Sequence, residues 1–356
     1  MKSRHVSLSF LFLIMLAILV SGCAEKEEKT AQREKPAEAV EEKAEESSAA
    51  AEPIRIGISK IVSHPALDGV EQGIQDELAE LGYSDIIYDL QNANGDPNTA
   101  KQIAVKFKSD GVDVAVGIAT PTSQALASTI SDSPIVFSAV TDPVGAGLVP
   151  SLDSGGENIT GYSDMTPVKE QISFLASLMD LKRLGHVYSS GEANAVVLAD
   201  IARDVCDELG IEFVETTVTN SAEVKQATQA ILNRVDAIYV STDNTVVSAL
   251  NSLVQTALEK DIPVMSADPS SAQEFAVLAA LGFDYYKHGR ATGRLIARIL
   301  DGEKPASIPT QFMSDPGDLN QLVMNLDVAE QVGIEVPQSV IDRATVVVKD
   351  GKVEKR

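Results

Sequence analysis

Two stretches of this chain carry the same series of elements in the same order, and that repeat limits the possible folds more than any other feature. In the first, RIGIS (Arg55–Ser59) precedes an amphipathic helix, Leu67–Leu81, that ends DELAELG. DIIYDL follows, then the helical Asn98–Ser109, the apolar run DVAVGIA, the helical Pro121–Ile130 and the apolar run PIVFSAV. In the second, GHVYS precedes a helix ending DELG, and AEVKQATQAILN matches NTAKQIAVKFKS. RVDAIYVSTDNTVVSAL with PVMSADP then matches DGVDVAVGIATPTSQAL with PIVFSAVTDP. The apolar runs are short, β-branched and continuous, as expected of strands covered on both faces. Their alternation with helices dictates parallel strands joined by helical crossovers. The expected fold is therefore α/β, with two similar doubly wound lobes built on parallel sheets. A length of 356 residues suits two domains of roughly 150 each, and an apolar content of 44% is enough for two cores.

Downstream of the repeat, Tyr285–Leu300 reads as a helix, Pro309–Met313 as extended chain and Asp327–Val332 as a short helix. These segments are expected to return between the lobes and, with a first crossing at Ser163 and Asp164, to form a multi-strand hinge. The boundaries this predicts are 54–160 plus about 284–308 for the first lobe, and 161–283 plus about 309–345 for the second.

The first residues read as an export signal. Lys2 and Arg4 precede a 13-residue apolar run, Leu8–Val20, which is too short and too one-sidedly flanked for a membrane span. Val20-Ser21-Gly22-Cys23 resembles the bacterial lipobox, which implies a lipoprotein signal peptide over 1–22 and lipidation at Cys23. Several acyl chains on one cysteine supply the multiple anchoring that stable membrane attachment needs. Residues 24–53 are Glu-, Lys-, Ala- and Ser-rich with no aromatic residue. Such a stretch cannot bury enough apolar surface to order itself and is expected to be a disordered acidic tether. The other cysteine, Cys206, lies in ADIARDVCDELG, where Ile201, Val205 and Leu209 share a helical stripe, and is expected in or near the core, with no intrachain disulfide.

In a doubly wound sheet, ligands bind beyond the carboxyl ends of the strands. In the first lobe that places Ser63 and His64, Thr120, Pro121 and Thr122, and Ser138, Thr141 and Asp142 at the candidate site. In the second it places Ser189, Ser190, Glu192 and Asn194, then Ser241, Thr242, Asp243 and Asn244, then Ser266 and Asp268, with Ser163 and Asp164 at the crossing. These loops hold hydroxyls and carboxylates but no Lys or Arg. A phosphate or dicarboxylate ligand would call for a bidentate Arg, and a sugar for aromatic platforms, which the loops lack. A zwitterion fits better: its carboxylate held by hydroxyls and backbone N–H groups at a helix start such as Thr120–Thr122, its ammonium by Asp142, Asp243 or Asp268, with Asp243 preferred. The same residue types are also ordinary N-caps.

Other functions find little support. The net charge of −23 is opposite to the basic footprint a nucleic-acid binder needs. Past the signal, His64, His186 and His288 lie at no metal-ligand spacing. GxSxG, a Walker loop and a GxGxxG after the first strand are all missing. No metal, cofactor or catalytic residue is expected. His186 falls within a strand and reads as structural, His288 as a surface or hinge hydrogen bond, and His64 as the best ligand candidate of the three.

The loop sequences also resemble a known family. VSHPALDGVEQGI, QNANGDPNTAKQIA, GIATPTSQA, PIVFSAVTDPVGAGLV, NITGYSD, STDN, FDYYKHGRATG and VMNLDVAEQVGIEVP look like the substrate-binding lipoproteins of ABC transporters that include the tryptophan-type binding proteins. The resemblance runs from about Ile54 to Ile341. It implies a periplasmic-binding-protein type I fold whose lobes close on a ligand, amino acid-like and in some members aromatic. It also implies a permease and an ATPase as partners, and an extracytoplasmic, lipid-anchored location. Carried over by motif, the pocket comprises His64, Thr120, Thr122, Ser138, Thr141, Asp142, Asp164, Asn194, Asp243, Asn244 and Asp268, with ligand choice set around Ile118, Val140 and Ser190. A sensory lipoprotein of the same fold, without a transport role, stays open at this point.

Overall fold

The computed structural model describes residues 52–314 and 321–356. The expected signal peptide, the Cys23 lipidation site and almost all of the tether lie outside the described residues. From Ile54 onward the chain alternates as the repeat predicts. The first half runs β1 (Ile54–Lys60), α1 (Pro65–Glu80), β2 (Ile86–Asn92), α2 (Pro97–Asp110), β3 (Val114–Ile118), α3 (Thr120–Ala127), β4 (Ile135–Ser138) and β5 (Ile159–Ser163). The second runs α4 (Val168–Leu178), β6 (Arg183–Ser189), α5 (Ala193–Leu209), β7 (Glu212–Val218), α6 (Val224–Ile231) and β8 (Ala237–Val240). It continues through α7 (Asn244–Val247), α8 (Leu250–Leu258), β9 (Val264–Ser266), α9 (Pro269–Ala272) and β10 (Ala279–Gly282). The returning segments are α10 (Tyr285–Leu300), β11 (Gln311–Phe312), β12 (Gln321–Asn325), α11 (Leu326–Gln331), α12 (Gln338–Arg343), β13 (Val346–Lys349) and β14 (Lys352–Lys355).

Among the described residues these strands form two sheets. The first has the order β11-β5-β4-β3-β1-β2, all neighbours parallel. The second has the order β14-β13-β12-β10-β9-β8-β6-β7. Within it β7-β6-β8-β9-β10 repeats the β2-β1-β3-β4-β5 arrangement strand for strand, again in parallel. The internal repeat in the sequence is thus a repeat of topology.

Both faces of the second sheet are covered at its central strands β8, β9 and β10, which are buried throughout. Ala237 and Tyr239 point into a cluster with Ile172, Leu198 and Met265, while Ile238 and Val240 point into another with Ile231, Leu250 and Val264, following the two-residue period of a strand. Local signals fix the helix ends. Asp96 caps α2 by accepting from Asn98 N at 2.9 Å, Pro97 opens it, and Gly111 closes it in the left-handed region, a combination worth about 1 kcal/mol or more. Cys206 is buried on α5 and free, and burial pushes its thiol up to about 12, the inert state expected of a core cysteine.

The chain crosses between lobes from β5 to α4, from β10 to α10, and from β11 to β12. Helix α10 returns to the first lobe and packs directly on α1. The approach is too close for side chains: a Cβ on Gly73 would lie 2.2 Å from Tyr286 O, and one on Gly289 2.2 Å from Val70 O. Arg290 clamps the pair through the buried Glu77 (Nε to Oε2, 2.5 Å) and through Glu80.

Strand pairing departs from the expected boundaries in two places. A division at 160/161 cuts through β5, which pairs with β4 from Ile159 to Gly161 and with β11 at Tyr162 and Ser163. Residues 311–312 therefore sit in the first sheet, not the second. The second sheet also extends past 345 through a β13–β14 hairpin. Its turn, Asp350-Gly351, has φ of 51° and 67°, the pair of positive angles for which Asp-Gly is a strong hairpin signal.

Candidate functional site

The carboxyl ends of both parallel sheets open onto one cavity. From the first lobe come His64 after β1, Ala66 and Leu67 on α1, and Ala139 and Thr141 after β4; Asp164 comes from the first crossing. The second lobe supplies Asn194 at the start of α5, Thr242, Asp243 and Asn244 after β8, Val247 on α7 and Asp268 after β9, and Tyr285 comes from the second crossing. Atom-free space there amounts to about 340 Å³.

Of the eleven sequence-selected residues, seven meet here: His64, Thr141, Asp164, Asn194, Asp243, Asn244 and Asp268. Four do not line the cavity. Thr122 turns back and donates to Ile118 O (2.7 Å) and Ala119 O (3.1 Å) within its own helix start. Ser138 shares a 2.7 Å hydrogen bond with Thr292 of α10. Asp142 holds a turn by accepting from Gly145 N at 2.9 Å. Thr120 is buried outside the lining. Ile118 and Val140 are fully buried and Ser190 is exposed; none of the three lines the cavity itself, but Ala139 and Thr141 on either side of Val140 do.

Tyr285 and the apolar lining Ala66, Leu67, Ala139 and Val247 are not among the strand-end candidates, whereas Thr242 is. Tyr285 lies in FDYYKHG, a segment already singled out, but was read as hinge helix alone. Its hydroxyl donates to Asp164 Oδ2 at 2.9 Å and so ties two crossings together at the cavity wall. Ala139 carries a left-handed backbone (φ 53°). Its N–H donates to His288 Nε2 at 3.1 Å, a buried bond within the first lobe rather than the surface or hinge hydrogen bond expected of that histidine. Strain of this sort in a non-glycine residue is typical of binding loops.

The acids of the site differ in what they already hold. Asp243 caps α7 from Oδ1 (Val246 N, 3.0 Å), and its Oδ2 accepts from Ser189 N at 2.6 Å. Asp268 caps α9, accepting from Ser270 N (2.8 Å), Ser271 N (3.2 Å) and the Ser271 hydroxyl. Glu192, just behind the lining, accepts from Thr245 N and Oγ1 and from the side-chain amides of Asn194 and Asn244. Asp164 caps no helix. It accepts from Tyr285 and, at a long 3.3 Å, from Thr141 Oγ1. Burial pushes Asp164 up to about 6, and burial together with the charge of Glu192 pushes Asp243 up as well. No Lys or Arg lines the cavity, so each of these carboxylates lacks a countercharge there, and the site as a whole favours a cation.

Several buried polar atoms lining the cavity have no partner: both ring nitrogens of His64, Asn194 Oδ1 and Thr242 Oγ1. The orientation of Asn194 is decided by its surroundings. Its Nδ2 donates to Glu192 Oε2 and Thr242 O, both pure acceptors, so the free atom is the oxygen. Buried polar groups of this kind are nearly always satisfied, and these four atoms have hydrogen-bonding capacity to offer a ligand.

The profile of the family described as "ABC transporter substrate binding protein" matches residues 55–348. The chain belongs to the ABC transporter substrate binding protein family. Among its relatives, this substrate-binding protein is 32% identical over 340 residues to a "Tyrosine-binding protein" of Clostridioides difficile (strain R20291), with 94% of each chain covered. It is similar to the crystal structure of an "ABC domain in complex with L-Trp" from Streptococcus pneumonia, at 33% identity and a TM-score of 0.79, covering 83% of this chain and 100% of the other. It is also similar to a ligand-free, open substrate-binding protein with adhesive properties from Clostridium difficile, at 34% identity and a TM-score of 0.63, covering 83% and 99%. Identity to the two structures is nearly equal, yet the superposition is better on the ligand-bound one.

Proposed function

We propose that this substrate-binding protein captures an aromatic L-amino acid, as a zwitterion, between its two lobes and delivers it to the permease of an ABC importer powered by the partner ATPase. The observation that carries this reading is an enclosed interlobe cavity lined by carboxylates, hydroxyls and amides with no Lys or Arg. Such a lining favours an ammonium and disfavours phosphates and dicarboxylates. The relatives named for tyrosine and for bound L-Trp support an aromatic side chain.

Asp164 is the acid best placed to receive the ammonium. Asp243, preferred on sequence grounds, has both oxygens engaged by backbone N–H groups, and Asp268 is likewise occupied as a cap. Asp164 has unused acceptor capacity and sits in the hinge, so a charge-assisted bond there favours closure directly. Asn194 Oδ1 offers a second acceptor. In this reading the protein is a binding protein and not an enzyme. Cys23 anchors it by lipid on the outer side of the membrane, residues 23–53 act as the tether, and closure occurs about the three crossings. No helix among the described residues is long and apolar enough to span a membrane.

Calorimetric titration with a panel of L-amino acids tests the proposal. L-tyrosine or L-tryptophan should bind at least about tenfold more tightly than aliphatic or charged amino acids, ~1.4 kcal/mol. Preference for an acidic amino acid, or no binding of any amino acid, would overturn it.

A further inference from the structure

We infer that His64 is the residue that holds the ligand carboxylate and that it does so as an imidazolium, so that capture of the zwitterion takes up a proton at this side chain. The inference rests on the amino-acid reading above. It starts from an imbalance in the cavity. A zwitterion brings a carboxylate as well as an ammonium, and the lining offers acids for the second but no Lys or Arg for the first. His64 is the one lining side chain able to become cationic.

The position of His64 suits the role. It occupies the N-cap of α1 but makes no side-chain capping bond, so its ring has no structural duty there. Both ring nitrogens are buried and neither has a partner of hydrogen-bonding geometry. The hydroxyl of Thr242, also buried on the cavity wall and without a partner, offers the carboxylate a second donor. By contrast, the α3 start expected to hold the carboxylate, Thr120–Thr122, does not line the cavity.

The charges facing His64 are all negative: Asp268 from the α9 cap, Asp68 from the first turn of α1, and Glu192 from the loop before α5, with the Asn244 side chain close enough to act on the ring as well. Asp68 is itself paired with Lys60 Nζ at 2.6 Å. Burial outweighs these acids and favours the neutral ring. A ligand carboxylate against the ring adds a full negative charge at contact, and in a dry site that favours the imidazolium strongly. The proton goes from solvent to the ring nitrogen, and no other bond changes.

The test compares L-tyrosine with tyramine, which keeps the amine and the ring but lacks the carboxylate. Titrations of the full-length protein in buffers of different ionisation enthalpy count the protons exchanged. The amine alone is expected to displace protons from Asp164 and Asp243, so the informative quantity is the count for L-tyrosine minus the count for tyramine. We expect a difference near one proton taken up at pH 7.5, and affinity for L-tyrosine that falls as pH rises above that. His64→Gln keeps a polar side chain but cannot carry the charge. It should abolish the difference and weaken L-tyrosine by about tenfold or more, with tyramine unchanged within about threefold. Thermal unfolding of the variant confirms that α1 is intact, as expected for a residue without a capping bond. Equal proton counts for the two ligands, or a His64→Gln protein that keeps the difference, would overturn the inference while leaving the amino-acid reading in place. Failure of every aromatic amino acid to bind would overturn both.

Discussion

Asp164 accepts hydrogen bonds from the hydroxyls of Tyr285 and Thr141 and faces no cation, so its charge is stabilised only when a ligand supplies one. Burial pushes it up to about 6, above the unfolded value near 3.9. A carboxyl raised in this way holds a proton in the folded state that the unfolded chain has already lost. The empty protein therefore loses stability through this group as pH rises from about 4 to about 6, by an amount on the order of 2 kcal/mol. Asp164→Asn removes that penalty. The variant should melt higher than wild type at pH 7.5 and no higher at pH 4, while binding L-tyrosine or L-tryptophan at least tenfold more weakly, as expected for loss of a buried charge-assisted contact. A variant that binds like wild type would remove Asp164 from the ligand site. Thr122 and Ser138 supply the contrast. Both lie in strand-end loops, but their hydroxyls are engaged within the fold, so Thr122→Ala and Ser138→Ala should keep affinity within about threefold, with any cost appearing in thermal stability. The pairing of these outcomes reflects what a sequence can convey. It shows that a residue follows a strand, but not whether its side chain turns into the cavity or back onto its own helix start, a common habit of Ser and Thr.

At the scale of elements, α1 and α10 form the rigid support beneath the first-lobe wall of the site. Helix α10 positions His288 under Ala139 and begins at Tyr285. Its approach to α1 depends on glycine at positions where a Cβ would meet backbone rather than a side chain able to move. Gly289→Ala would place a Cβ 2.2 Å from Val70 O, forcing the helices apart. We expect a loss of about 2–3 kcal/mol in denaturant unfolding together with weaker ligand binding, because Ala139 and Tyr285 shift with the helix. An unchanged midpoint would mean that the helices separate freely. Most elements were legible in advance because their signals are local: continuous β-branched runs for β3, β4 and β8, a cap and a proline for α2, and a helix from Tyr285 to Leu300 that matches α10 end to end. The pairing of β11 with β5 was not legible, since a two-residue strand has no periodicity to read. The β13–β14 hairpin was overlooked although Asp350-Gly351 marks it. Tyr285 could be assigned to a helix but not to Asp164, a partner 121 positions away.

The whole molecule places one cavity between two lobes of like topology, with Asp164 and Tyr285 in the crossings that join them. A ligand bridging the lobes makes its full set of contacts only when they are together, so binding shifts the population toward the closed form. The relative solved without ligand is open and matches this chain less well than the one solved with L-Trp. Small-angle X-ray scattering of the purified protein, free and then saturated with L-tyrosine or L-tryptophan as judged by calorimetry on the same sample, tests this most directly. A smaller radius of gyration in the saturated sample is the result predicted; an unchanged radius at full saturation would contradict capture by closure.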